Sequence, residues 1–144
     1  MTALTPEIIA SREKTLAAHL DGETRKDVES VLATFGGVPV YDLVTVGKVV
    51  EGREEVRQFL QTFFDSMGPN THLAQAFYHS PDATVVEVLT IFPDGFDGEQ
   101  KGQNLEIRSV GLFPFDGDQL ISEKLYADVS PLLPFMPWLV EDDS

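Results

Sequence analysis

The sequence predicts an α+β fold in which helices come first and a run of antiparallel strands follows. Three segments with helical spacing of their apolar residues occupy the chain up to about residue 67. Extended segments come after them, and the last two are joined by the turn pair Asp116-Gly117. Helices followed by a run of antiparallel strands are the order typical of α+β proteins. With 144 residues, the chain is expected to form a single domain, 1–144, around one core.

The three helices are predicted from start signals, stop signals and apolar stripes. The first begins at Thr5-Pro6-Glu7, where an N-cap residue, a proline and an acid follow one another, and it is expected to end at Asp21-Gly22. The second follows Thr24 and ends at Gly36-Gly37. The third, 52–67, has the clearest stripe, formed by Val56, Phe59, Leu60, Phe63 and Met67.

The strands are predicted from runs of β-branched and aromatic residues. They span 38–46, about 71–79, 83–92, 104–115 and 118–128. The apolar residues of 130–140 are interrupted by three prolines, so we expect them to cover the body, a pocket mouth or a second subunit rather than form a long helix. The core is expected over about 8–136, with an acidic tail at 141–144.

Composition excludes several classes of function. The net charge of −14 argues against nucleic acid and against an anionic membrane surface, because both attract basic proteins. The chain has no cysteine, which excludes disulfides and thiolate chemistry. It shows neither a signal peptide nor an apolar run of membrane-spanning length, so we expect a cytoplasmic protein.

The last hairpin predicts a pocket face that carries charge. Used as a two-residue turn, Asp116-Gly117 pairs Val110 with Glu123 and Arg108 with Leu125. Paired residues share one face of a sheet, and charge in the middle of a strand is costly unless that face lines a wet or functional cavity. We therefore expect a pocket lined by Glu106, Arg108, Val110, Glu123 and Leu125.

Two other interpretations of the hairpin stay open. A three-residue turn, 116–118, would reverse the parity of the last strand and turn Tyr126 and Asp128 inward. Alternatively, the acids and Arg108 only neutralise one another and hold the sheet in register, since ion-pair networks place charges in proteins without any catalytic role.

Glu87 stands alone in the apolar run 85–89, where an ionised side chain without a partner is expensive. We expect it to face the pocket together with Val85, or else to pair with Arg108. Tyr41 is expected either to donate a hydrogen bond to a substrate oxygen or to keep its hydroxyl at the rim. His72 is a candidate for the pocket mouth or for the surface. The three histidines lack metal-ligand spacing, so we expect no metal site.

The order of these elements, together with several short sequence segments, resembles the SnoaL-like branch of the nuclear transport factor 2-like superfamily. These segments are GREEVRQF at 52–59, VVEVL at 85–89, FPFDGDQLISEKLYAD at 113–128 and SPLLPF at 130–135. The resemblance implies a cone-shaped α+β barrel, in which a curved antiparallel sheet wraps three helices and encloses a pocket. It also implies a small, mostly apolar organic ligand and a homodimer through the outer face of the sheet.

The catalytic residues of similar proteins match this chain only in part. In SnoaL-like polyketide cyclases the acid of the last strand falls at Leu125, its partner histidine at Val110 and a glutamine at Arg108. In limonene epoxide hydrolases an Arg-x-Asp pattern falls on Val85 and Glu87, and a tyrosine falls near Tyr41. This chain thus retains an acid, Glu87, and a hydroxyl, Tyr41, while the other catalytic positions carry different residue types.

We therefore predict a cofactor-free acid/base enzyme of the cyclase, isomerase, dehydratase or epoxide hydrolase type. Glu87 would be the base, Arg108 would orient it or stabilise an oxyanion, and Tyr41 would donate a hydrogen bond. The alternative is a non-catalytic ligand-binding or dimeric interaction module, because Leu125 and Val110 replace the acid/base residues of the polyketide cyclases. A purely structural scaffold would need a pocket filled by the chain's own side chains.

Overall fold

The computed structural model describes residues 3–141 and confirms the predicted α+β fold. Three helices pack against one large curved sheet that does not close on itself. The predicted acidic tail lies outside the described residues apart from Glu141. The elements are α1 (Pro6–Thr24), α2 (Val28–Leu32), β1 (Val40–Leu43), β2 (Lys48–Glu51), α3 (Arg53–Ser66), β3 (Thr71–His79), β4 (Ala83–Phe92), β5 (Leu105–Asp116), β6 (Gln119–Leu120) and β7 (Glu123–Ala127), with short 3-10 turns at Val44–Val46, Ser130–Leu132 and Pro137–Leu139.

Helix α1 starts where predicted and ends later than predicted. The Thr5 hydroxyl accepts a hydrogen bond from the Ile8 amide at 3.2 Å, as an N-cap should. The helix continues past the expected stop at Asp21-Gly22, because Gly22 serves close packing rather than termination. A Cβ at Gly22 would approach Val31 Cγ2 to 2.9 Å, so the glycine lets α2 pack directly on α1.

The strands follow the order β2-β1-β7-β5-β4-β3, with β6 paired to the end of β5. All pairs are antiparallel except β1 with β7, which run parallel. The parallel pair joins the first strand of the chain to the last one, so it brings α1 and the strand after it close to the C-terminal hairpin.

The turn of the last hairpin lies one residue further along the chain than predicted. Asp116 pairs with Gln119, which leaves Gly117 and Asp118 as the two turn residues. Gly117 has a φ of 59°, a left-handed conformation that glycine adopts at little cost.

The predicted pairing of the last two long strands is wrong. Val110 lies opposite Tyr126 and not opposite Glu123, and Leu125 lies opposite Gly111. The three-residue turn is wrong as well, because Gly117 and Asp118 alone form the turn. Of the two residues that it would place inward, Tyr126 is 41% exposed on the outer face, whereas Asp128 lines the inner cavity.

The displaced turn shifts the pairing by two residues, and a β-bulge next to Pro114 adds a third, which reverses the parity. Proline has no N–H, so the ladder there consists of one bond, in which the Ile121 amide donates to the Pro114 carbonyl at 2.9 Å. Between the pairs Phe115–Leu120 and Leu112–Lys124, two residues of β5 stand opposite three residues, 121–123, so the register shifts by one. Because of the extra residue, the odd-numbered residues of β7 face the inner side of the sheet, and the Glu123 side chain is one of them.

The two faces of the sheet differ in burial. Odd-numbered residues of β5 and β7 and even-numbered residues of β4 face the helices. The outer face carries exposed or half-exposed side chains from the other positions, including Val85, Glu87, Glu106, Arg108, Val110 and Tyr126. Several of these are apolar, which suits the predicted homodimer through this face, and the homodimer stays a prediction.

The apolar C-terminal segment covers one end of the body, which was one of the predicted alternatives. Leu132, Met136 and Leu139 are buried. The Trp138 ring contacts Phe59 edge-on at 5.9 Å, and the Lys48 ammonium donates to the Trp138 carbonyl at 2.9 Å. Among the described residues, none of the helices combines the length and the apolar character that crossing a membrane requires.

A buried arginine joins α1 to two turns at the opposite end of the sheet. Arg12 is 1% exposed. Its guanidinium donates to the carbonyls of Gly117 at 2.7 Å, Ser80 at 2.6 Å and Pro81 at 2.7 Å, and it stacks 4.9 Å above the Phe115 ring. Since each nitrogen of the guanidinium has an acceptor, this arginine is a structural clamp that ties both turns to the helix.

Candidate functional site

A cavity of about 90 Å³ lies between the helices and the inner face of the sheet. Its walls are mostly apolar and come from α1, α3, β3, β4, β5, β7 and the C-terminal segment. Gly111 makes room for the Phe113 ring in this wall, because a Cβ there would meet that ring at 2.5 Å. The acidic side chains Glu23 and Glu123 lie in the same wall. Buried carboxylates in an apolar cavity are the feature expected of a binding or catalytic site.

Both carboxylates converge on His19, which is fully buried on α1. His19 Nε2 lies 2.9 Å from Glu123 Oε1 and 3.2 Å from Glu23 Oε1. The Tyr41 hydroxyl, on β1, lies 3.2 Å from the same nitrogen. Three acidic groups from three elements therefore meet at one ring nitrogen, and we call His19, Glu23, Tyr41 and Glu123 the His19 cluster.

Thr34 fixes the protonation of the other ring nitrogen. The Thr34 hydroxyl donates to the Val31 carbonyl at 2.6 Å, so its oxygen acts as an acceptor toward His19 Nδ1 at 2.9 Å. His19 Nδ1 must therefore carry a proton. This leaves Nε2 as the ring nitrogen whose proton is exchanged within the cluster.

The charges of the cluster are set by burial and by these contacts. Burial opposes a charge on His19, but the hydrogen bonds that its Nε2–H donates to Glu123 and Glu23 outweigh burial and raise the pKa of His19 to about 10. Burial, with the charge of Glu23, raises the pKa of Glu123 to about 7 against the hydrogen bond from His19. Burial alone would raise the pKa of Glu23. The hydrogen bond from His19 and the charge of His19 outweigh burial and hold this pKa below its ordinary value. Burial also raises the pKa of the Tyr41 phenol well above its usual value.

The result at neutral pH is an imidazolium at His19, a carboxylate at Glu23 and a poised carboxyl at Glu123. The single Nε2 proton cannot satisfy both carboxylates and the phenol fully. A buried charged cluster in which several groups share one proton is costly compared with an apolar core, which makes it a candidate functional site.

The donor atoms of His19, Glu23 and Glu123 lie within 4.8 Å of one another, which is compact enough for a metal ion. A metal ligand must be an unprotonated imidazole. With the pKa of His19 raised to about 10, the Nε2 lone pair is occupied by a proton at neutral pH. Without a metal ion these residues form a hydrogen-bonded acid/base cluster, and a metal ion would have to displace the Nε2 proton to bind there.

His72 extends the site along β3. It lines the cavity, and its Nε2 lies 3.9 Å from Glu23 Oε2. Its buried Nδ1 has no hydrogen-bond partner among the described residues. Burial lowers the pKa of His72, so this imidazole is neutral at pH 7 and adds no positive charge to the cavity.

The predicted site residues fall into two groups. Glu123, Leu125 and His72 line the inner cavity. Tyr41 is 2% exposed, and its hydroxyl contacts His19 instead of standing at a rim.

The other predicted residues lie on the outer face, because the bulge changes the parity of β7 and leaves β5 in the opposite phase. Glu87 does not face the cavity, and the expectation that it shares the pocket with Glu123 is wrong. An open groove of about 950 Å³ on that face gathers Glu87, Arg108 and Val110. Val85 and Glu106 lie on the same face outside it.

The sequence reasoning missed His19, Glu23 and Thr34. A usable signal was present, because His19 and Glu23 are one helical turn apart and His19 is in phase with the apolar residues Leu16 and Leu20. Polar residues in the buried stripe of a helix need partners, which would have pointed to a site facing α1.

Structural comparison places this architecture among known folds, although no family model and no curated protein matches the sequence. A candidate SnoaL-like polyketide cyclase from Jannaschia sp. CCS1 aligns with a TM-score of 0.66 and 19% identity, over 99% of each chain. The chain has the NTF2-like fold. The resemblance that the short sequence segments indicated is thus confirmed at the level of the fold.

Two further solved structures agree with this result. A candidate SnoaL-like polyketide cyclase from Shewanella putrefaciens CN-32 aligns with a TM-score of 0.68 and 12% identity, covering 96% of this chain and 97% of that one. A hypothetical protein with a ketosteroid isomerase-like fold from Catenulispora acidiphila DSM 44928, in complex with trimethylamine, has a TM-score of 0.68 and 18% identity, covering 92% and 93%. Identities this low establish a common architecture and not a common activity.

Proposed function

We propose that this protein is a cofactor-free enzyme that transfers protons on a small, mostly apolar organic molecule bound in the inner cavity. The observation that carries the proposal is Glu123, a carboxyl in the cavity wall whose pKa is raised to about 7 by burial. An acid/base catalyst works best when its pKa lies near the working pH. A carboxyl raised by its environment beside a second one held ionised is a recurring arrangement in such enzymes.

In this proposal Glu123 is the group that touches the substrate. Its carboxylate takes a proton from the bound molecule, and the resulting carboxylic acid returns the proton to another atom of the same molecule. This sequence suits isomerisation and related cyclase or dehydratase chemistry.

His19 acts as a positioning residue behind Glu123. Its imidazolium holds one carboxylate oxygen at 2.9 Å and keeps the ionised form accessible inside an apolar wall. Tyr41 and Thr34 in turn hold His19, through contacts of 3.2 and 2.9 Å. The proposal therefore assigns no catalytic role to Glu87 and Arg108, whose exposed positions on the outer face favour surface roles.

The fold comparisons support a small ligand in this cavity. The Catenulispora acidiphila protein, which has the same fold, is in complex with trimethylamine, a molecule of few atoms. A cavity of about 90 Å³ sets a similar upper limit for the bound molecule here.

The test is an exchange assay in D₂O, which works before the natural substrate has been identified. A panel of small carbonyl compounds, alkenes and amines is incubated with wild type, and proton NMR follows loss of carbon-bound protons or conversion. We expect at least one compound to be turned over by wild type and by Glu87→Gln, which removes an outer-face carboxylate. Glu123→Gln should reduce the rate by about 100-fold or more, the usual contribution of a general base.

Turnover by Glu123→Gln at the wild-type rate would contradict the proposal. A second candidate function, a binding module without catalysis, is favoured by Leu125, which stands where polyketide cyclases carry their acid and also lines the cavity. Binding of a panel compound with no exchange in wild type would support that module instead.

A further inference from the structure

We propose that the molecule bound in the inner cavity is a small organic ammonium ion, with its nitrogen at Glu23 and Glu123 and its alkyl group against the aromatic wall. The inference rests on the proposed function for the location of the site and names the substrate class of that site.

The charges that line the cavity favour a cation. Its acidic lining residues are Glu23, Glu123 and Asp128, and no lysine or arginine of the described chain lines it. The one imidazole in the wall, His72, is neutral because burial lowers its pKa. Behind the wall, the imidazolium of His19 balances one carboxylate only. An anionic ligand would find no basic partner in this wall, whereas a cation supplies the missing positive charge.

The apolar part of the wall also suits a cation. Phe63, Phe92 and Phe113 line the cavity, and the negative faces of aromatic rings attract ammonium groups that have lost their water. Recognition of alkylammonium ligands by several aromatic side chains is a common use of this interaction. Carboxylates and phenyl rings in one small cavity therefore match both ends of an alkylammonium ion.

The hydrogen-bond acceptors match the donors of such an ion. A primary ammonium group has three N–H donors and no acceptor. Glu23 and Glu123 each use one oxygen, Oε1, toward His19, and both residues face the cavity. The buried Nδ1 of His72, another lining residue, lacks a partner among the described residues. A bound ammonium group would give the cluster the additional donors that the single His19 Nε2 proton cannot supply.

The volume limits the size of the alkyl group. An apolar cavity of ~150 Å³ holds benzene, which has six carbon atoms. In proportion, the cavity of about 90 Å³ holds about four non-hydrogen atoms. Isopropylammonium, with three carbons and one nitrogen, fits this limit.

The experiment compares isopropylammonium with 2-propanol, which has the same shape and the same number of non-hydrogen atoms but no charge. Binding to the full chain is followed by NMR chemical shifts of cavity-lining methyl groups at pH about 8, where Glu123 is ionised and an alkylamine is protonated. The solutions contain EDTA and equal ionic strength, so that neither metal ions nor salt differ between the two titrations. We expect the ammonium ion to bind about tenfold more tightly or better.

Two variants test whether the cluster is responsible. Glu123→Gln should lower the affinity for isopropylammonium about tenfold while changing that for 2-propanol less than about twofold. Glu87→Gln makes the same change of net charge on the outer face and should leave both affinities unchanged. If Glu123→Gln fails to fold, Glu23→Gln provides the same comparison, because both carboxylates face the cavity.

The inference is overturned if 2-propanol binds as tightly as isopropylammonium, or if Glu87→Gln weakens ammonium binding as much as the cavity variants do. Its failure differs from failure of the proposed function. Equal binding of the two probes, with a Glu123 pKa measured near 7, would leave the acid/base site intact and remove only the cation preference. Selective ammonium binding with an ordinary Glu123 pKa of about 4.3 would do the reverse.

Discussion

Arg12 and His19 are two buried cations on the same helix, seven positions apart, and they differ in how their hydrogen bonds are satisfied. Arg12 donates to the carbonyls of three turn residues with distances of 2.6 to 2.7 Å, and all its nitrogens have acceptors. His19 presents one Nε2 proton to two carboxylates and a phenol. In the first arrangement each guanidinium nitrogen has its own acceptor, whereas in the second several groups share one proton.

The comparison separates buried charge that stabilises the fold from buried charge that is available for chemistry. The partners of Arg12 are mostly neutral backbone carbonyls, which cannot change protonation, so the clamp stays the same at every pH near neutrality. The partners of His19 are titratable groups that compete for a proton. We therefore expect variants at the clamp to act on stability, and variants at the His19 cluster to act on protonation and binding.

The largest expected effect is on the clamp. Arg12→Ala leaves the carbonyls of both turns without a donor and removes the group stacked on Phe115, so we expect a loss of about 3–5 kcal/mol in the free energy of unfolding. Urea denaturation followed by circular dichroism measures it. Arg53→Ala, at an exposed arginine of α3, should change stability by less than about 0.5 kcal/mol. Equal losses in the two variants would show that Arg12 is not a clamp.

The next effect is a pH dependence that belongs to Glu123. Its pKa in the folded protein, about 7, lies above the ordinary 4.5, so the folded state binds more protons than the unfolded state between these values. Its stabilising contribution is complete below pH 4.5 and is lost as the pH rises through about 7.

Glu123→Gln should therefore gain stability relative to wild type over this window, by about 1–3 kcal/mol. Urea denaturation of both proteins at a series of pH values checks it. A constant difference between wild type and variant from pH 4.5 to pH 7 would contradict the raised pKa.

A smaller effect is expected at Thr34. Thr34→Val keeps the shape but removes the acceptor of His19 Nδ1, which should lower the pKa of His19 and cost about 1–2 kcal/mol. Thr34→Ser keeps the hydroxyl, so the pKa of His19 and the stability of the protein should both stay close to the wild-type values. NMR titration of the His19 ring carbons in the two variants separates a lost hydrogen bond from lost packing, because only the former moves the pKa.

The smallest effects are expected on the outer face. Glu87→Gln and Arg108→Gln change exposed side chains, so each should alter the free energy of unfolding by less than about 0.5 kcal/mol. Thermal unfolding of the two variants checks this expectation. A loss above about 2 kcal/mol in either variant would indicate the structural ion-pair network that the sequence left open.

The sequence predicted the fold but assigned residues from both faces of the sheet to one pocket. Local signals such as the Thr5 cap, the α3 stripe and the long strands depend on neighbouring residues, so they could be interpreted from the chain alone. The hairpin register depends on which residues oppose one another, and the bulge at Pro114 shifts it by one. A proline inside a predicted long strand was a visible warning of such an irregularity.

The composition of the His19 cluster could not be predicted in the same way. His19, Tyr41 and Glu123 lie on three elements that are distant in the chain, and their meeting depends on the parallel pairing of β1 with β7. No local pattern encodes that pairing. What the chain does show is a histidine and an acid one turn apart on α1, which indicates buried polar partners without naming them.

The most direct test of the central claim is a carbon-13 NMR titration of the Glu123 side-chain carboxyl, assigned by comparison with Glu123→Gln. We expect an apparent pKa of about 7, accompanied by a His19 ring that stays protonated until about pH 10. A Glu123 carboxyl that titrates at the ordinary value of about 4.3 would contradict it. In that case the cluster would be a second structural ion network, no different in kind from the Arg12 clamp.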